Sequence, residues 1–83
     1  MIKLTDNLRL QVDKKEYKLT RTEYLVLQVL MKNKNQILSP QQIASEVECD
    51  YRYIQNNIIP KFRDEFGLNI PNESGYVFRE EEN

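Results

Sequence analysis

The sequence predicts an α+β fold: short β-strands at the N-terminus, three helices, and a β-hairpin at the C-terminus. Three observations predict it. Apolar and polar residues alternate with period two in LRLQV (Leu8 to Val12), the pattern of a half-buried strand. Two helix-start signals follow, T-x-x-E at Thr20 and Glu23 and S-P-x-Q at Ser39 to Gln42. Near the end, two short apolar runs flank the polar turn NESG, Asn72 to Gly75.

Each element can be justified in turn. Ile2 and Leu4 suit a first short strand, LRLQV a second, and Tyr17 to Leu19 a third, with DKKE as a polar turn between the last two. A sheet this small must lean on helices. The first helix starts at the Thr20/Glu23 capping box, which satisfies orphan amides. Its core face is Tyr24, Leu27, Leu30 and Met31, and Lys32 and Lys34 suit the dipole at its C-terminal end. NQIL is a connector. The second helix is PQQIASEV, with Ile43, Ala44 and Val47 inward. Cys49 marks a bend and Asp50 can cap a third helix. Helix, tight turn and helix are the ingredients of a helix-turn-helix.

The third helix carries YIQNNIIPKFRDEFG, Tyr53 to Gly67. Ile54, Ile58, Phe62 and Phe66 recur every four residues, as on a buried stripe. Pro60 lies in the middle of this run, deprives the carbonyl of Asn56 of its helical donor, and is expected to kink or interrupt the helix. Gly67 suits the helix end. Leu68 to Ile70 and Tyr76 to Phe78 then read as the strands of the hairpin. The expected organisation is one domain over residues 1–83: strands in 1–19, helices in 20–67, the hairpin in 68–79, and an acidic solvated tail in 80–83.

Composition narrows the function classes. Of 83 residues, 40% are hydrophobic and 30% charged, ordinary for a globular domain. With no histidine and one cysteine, Cys49, the chain lacks the commonest general base, a nucleophile pair and a zinc ligand set. Two glycines eight positions apart make no phosphate-cradling loop. We therefore expect no enzyme, no metal, no cofactor and no small-molecule ligand. No apolar run suits a membrane span or an export signal, so a cytoplasmic setting with a reduced Cys49 is expected. Net charge is −1, but unevenly spread: residues 1–34 hold eight basic and four acidic groups, residues 35–83 four basic and nine acidic.

The order and spacing of LTRTEYLVLQVL (Leu19 to Leu30), ILSPQQIASEV (Ile37 to Val47), FRDEFG (Phe62 to Gly67) and SGYVF (Ser74 to Phe78) resemble the OmpR/PhoB-type winged helix-turn-helix, the effector domain of many response regulators. The resemblance implies a sequence-specific DNA-binding transcriptional regulator, or the DNA-binding domain of one. It implies double-stranded DNA as partner and a third helix that enters the major groove. The chain also departs from that family's usual pattern. The N-terminal strands and the loop at Glu48 to Asp50 are short, and Asp64 and Glu65 stand where basic residues are common.

On that reading Asn56 and Asn57 suit adenine edges and Arg52 suits guanine. Tyr53, Lys61, Thr20 and Arg21 suit phosphates, which position without specifying. Pro60 and Arg63 complete the face, and Asn72 and Ser74 belong to the wing. Against it stands a pI of about 5.4, since affinity for DNA comes largely from Lys and Arg. The alternative is a winged helix that binds protein, through the same Tyr53, Pro60 and asparagine pair, with dimerisation open in either case.

Overall fold

A computed structural model describes residues 2–72 and 75–79. Three antiparallel strands, β1 (Ile2–Thr5), β2 (Arg9–Val12) and β3 (Lys15–Lys18), form a sheet in the order β1-β2-β3. Thr5 pairs with Arg9, and Val12 with Lys15. The β2–β3 turn needs no glycine because Asp13 takes the left-handed conformation, φ 55°, which Asp tolerates better than most residues. Leu8, expected inside the second strand, is instead a left-handed turn residue at φ 58°. Its carbonyl accepts from Leu19 N–H at 2.9 Å, so the strand begins one residue later.

Helix α1 (Arg21–Lys32) starts as its sequence predicts. The Thr20 hydroxyl accepts from Glu23 N–H, and the Glu23 carboxylate accepts from Thr20 N–H. Helix α2 (Pro40–Val47) repeats the device with Ser39 and Gln42. It ends at Glu48, held left-handed at φ 54°, and Asp50 then accepts from Arg52 N–H at 2.8 Å to open the third helix. That is the helix-turn-helix, with a turn of three residues.

The third helix differs from expectation in its winding. Residues 51–64 stay helical throughout, but Tyr51–Tyr53 and Ile59–Asp64 are α-helical around a π turn, Ile54–Ile58. Ile59 N–H donates to the Ile54 carbonyl, five residues back. Pro60 follows at once. Lacking an N–H, it leaves one acceptor a turn earlier without a helical donor, Asn56 in the α register or Gln55 in the π register. Both are exposed, where water serves. A wide π turn stands immediately before the proline. The extra residue also puts Ile58 and Ile59 side by side in the core.

Beneath the helices lies one apolar core, in which Leu10, Val26, Leu27, Leu30, Ile43, Ile54, Phe62 and Phe78 are fully buried. Tyr17 of β3 packs on Phe66 with ring centroids 4.6 Å apart, and Phe66 on Phe62 at 5.8 Å. The sheet therefore braces the far end of the third helix. That helix closes where Gly67 turns left-handed, φ 68°, and Leu68 N–H returns to the Phe62 carbonyl at 3.0 Å.

The expected C-terminal strands are bridges among the described residues. Asn72 pairs with Tyr76, and Arg79 N–H donates to the Asn69 carbonyl. Tyr76 also pairs with Leu38, in the segment expected to be a mere connector, through two reciprocal bonds of 2.8 and 2.7 Å. Gly75 permits this approach: a Cβ there would sit 2.6 Å from the Leu38 carbonyl oxygen, and its φ is 146°. Ser74 and the acidic tail lie outside the described residues.

Candidate nucleic-acid interface

Burial separates the third helix into two faces. Ile54, Ile58, Ile59 and Phe62 point to the core, while Arg52, Tyr53, Gln55, Asn56 and Asn57 are exposed and Pro60 is half-buried. The structure thus brings the expected Arg52, Tyr53, Asn56 and Asn57 together on one surface. Gln55, missed in the sequence reading, stands with them. Two flanking tyrosines keep much of their area in solvent, Tyr51 at 38% and Tyr53 at 51% exposed.

The basic residues are differently placed from what the sequence suggests. Lys61, assigned to phosphate, turns inward and donates to Glu23 Oε2 at 2.8 Å. Glu23 is buried, and its other oxygen completes the α1 cap. One carboxylate therefore closes the start of α1 and ties it to the third helix. The hydrogen bond from Lys61 to Glu23 holds the ammonium above its ordinary pKa, against the opposing pull of desolvation. A buried carboxylate must be paired, and Lys61 is its pair.

Arg63 is also engaged. Its Nε donates to the Ile70 carbonyl at 2.7 Å, and its guanidinium lies 5.8 Å from the Tyr76 ring centroid. It fastens the wing to the third helix. Arg52 stays at the surface but lies against Asp50, with contacts of 3.4 Å from Nε and 3.2 Å from its terminal nitrogen. Hydrogen bonding to Arg52 lowers the Asp50 pKa and raises that of the guanidinium. Thr20 uses its hydroxyl in the cap, whereas Arg21 is exposed on the first turn of α1. In the wing, the Asn72 side chain accepts from Gly75 N–H at 3.4 Å, a structural use.

The surface that results is amide-rich, with Arg52, Lys61 and Arg63 in contact with partners and Arg21 exposed. Among the described residues no cluster of carboxylate or thiol groups is arranged to hold a metal ion. No helix in them is long and apolar enough to cross a membrane.

The family model described as transcriptional regulatory protein, C terminal, matches residues 14–61. That span runs from the β2–β3 turn through both capping boxes to Lys61. Among solved structures, the C-terminal domain of the nisin resistance regulator NsrR, a lantibiotic response regulator, superposes with a TM-score of 0.79 at 18% identity, over 98% of this chain and 94% of that one. At that identity the likeness carries the winged helix fold. No curated protein sequence matches the chain.

Proposed function

The chain belongs to the family of transcriptional regulatory protein C-terminal domains, the OmpR/PhoB-type DNA-binding effectors, and from that premise we propose how it meets its target. The exposed face of the third helix enters the major groove, as helix-turn-helix proteins do. Asn56 and Asn57 meet base edges, with Arg52 and Tyr53 at the entry. Thr20 and Arg21, at the start of α1, and the wing around Asn72 approach phosphates. Lys61 and Arg63 serve by holding the helix in place. The observation that carries this reading is the face itself: a capped helix follows a three-residue turn and presents exposed polar side chains opposite a wholly apolar inner stripe. A regulator of this kind works in the cytoplasm, without a cofactor and without catalysis.

Because so few cations are available, affinity should depend weakly on salt. A slope of log K against log salt of about −2 to −4 is expected, near −0.9 per phosphate neutralised. Titration of duplex DNA by fluorescence anisotropy, with monomeric and artificially dimerised protein, measures it. Absence of binding to any duplex at low salt in both forms would end the proposal.

One observation favours a second reading. The helix that carries the paired Arg52 and Lys61 also exposes Tyr51 and Tyr53, and aromatic anchors dominate protein interfaces. A protein-binding winged helix would ignore DNA and lose its partner on Tyr53→Ala.

A further inference from the structure

Gln55, Asn56 and Asn57 are three consecutive amides on the π turn, all exposed, and their side chains make no hydrogen bond to the described residues. Their charged neighbours are engaged: Arg52 with Asp50, Lys61 with Glu23, Arg63 with the Ile70 carbonyl. Winding matters here. A turn closed five residues back holds more residues per revolution, so successive side chains diverge by less than the roughly 100° of an α-helix. Ile58 and Ile59, both buried, take the inner side of the same turn. From Gln55 to Asn57 the directions still fan through about 160°, with Asn56 foremost on the outer side of the turn.

We infer that Gln55, Asn56 and Asn57 form an amide reading head that selects adenine edges in the major groove. This rests on the docking proposed above. A carboxamide accepts and donates at once, and adenine alone offers the matching pair, the N6 amino group and the N7 acceptor. Guanine offers two acceptors, which suit an arginine; Arg52 and Arg63 near this face each already make a contact within the protein. Cytosine offers a donor only, and thymine an acceptor beside a methyl group. The target core should therefore carry consecutive A·T pairs.

Selection of the intact chain against a random duplex library at low ionic strength tests this. The enriched core should hold at least two A·T pairs. Gln55→Ala, and separately the double variant Asn56→Ala/Asn57→Ala, should each weaken the selected duplex by roughly 5- to 100-fold and an unselected duplex by much less. Replacing core adenines by 7-deazaadenine, which lacks N7, should cause a loss of the same order. A G·C core, or affinity untouched by the variants and by 7-deazaadenine, would overturn the reading head while docking on DNA stood. Failure to bind any duplex would remove both.

Discussion

Helix α1 and the third helix are tied by the Lys61–Glu23 ion pair, yet they are built on opposite plans. Over its 12 residues α1 is regular, with both halves of its capping box formed and Val26, Leu27 and Leu30 inward. The third helix begins on a lone Asp50 cap, widens at Ile54–Ile58 and then carries Pro60. Its irregularity is tolerated because four large side chains, Ile54, Ile58, Ile59 and Phe62, are buried beneath it, and packing outweighs propensity in setting helix stability. The scaffold helix is the regular one, and the displaying helix is shaped by what it shows. Glu23 and Lys61 join the two.

If that joint is real, the largest effect belongs to Glu23→Ala. It removes an acceptor from the α1 cap and strands the Lys61 ammonium, 35% exposed. Allowing for that exposure, a loss of about 3 kcal/mol is expected, and calorimetry should show a melting temperature lower by more than 10 °C. A variant that melts within two or three degrees of the parent would uncouple the helices. Glu23→Gln, which keeps the cap, should fall between.

Lys61→Met comes next, at about 2 kcal/mol, because it leaves the Glu23 carboxylate buried and half-partnered. Here pH sharpens the comparison. The folded-state pKa of Lys61 is raised, so its contribution is complete below the ordinary lysine value of 10.5 and is lost as pH climbs through the folded value. The stability gap between parent and Lys61→Met should stay constant at neutral pH and close only in strong alkali. A gap that closed well below that value would show that the pair is not its source.

Thr20→Ala tests the cap alone and should cost about 1 kcal/mol, lowering the melting temperature by about 4–8 °C. Pro60→Ala has the smallest effect and the opposite sign. A donor is restored and the ring removed, but the π turn already accommodates the proline, so the gain should stay under about 1 kcal/mol, well below the ~3 kcal/mol of a regular helix interior. Hydrogen exchange at residues 59–61 follows it. A strongly destabilised Pro60→Ala would mean that the proline supports the wide turn instead of being accommodated by it.

Much of this architecture was legible because it is local. T-x-x-E and S-P-x-Q name their own hydrogen bonds, and period-two alternation places the strands to within a residue or two. The wide turn had a signal too. Ile54, Ile58, Phe62 and Phe66 are spaced by four throughout, and in an α-helix such a stripe drifts about 40° per step, so a straight buried stripe at that spacing implies under-winding. Ile59, next to Ile58, was the second clue. Of the candidate site, the exposed Tyr53, Asn56 and Asn57 followed from the opposite stripe. The roles of Lys61 and Arg63 did not, since their partners Glu23 and Ile70 are fixed only by tertiary packing, and a lysine near a neutral helix reads alike whether it faces out or in. Leu38 was missed because a single bridge has no period.

That bridge has a consequence for motion. Leu38 and Tyr76 exchange both of their backbone bonds, and the chain between them contains α2, the turn and the whole third helix. The bridge is a clasp on a closed circuit. Neither end of that circuit can leave without opening it, so α2, the turn and the third helix are strung between two joined ends. Amide protons of Leu38 and Tyr76 should then exchange with solvent together, and with the slow core rather than with the surface loops.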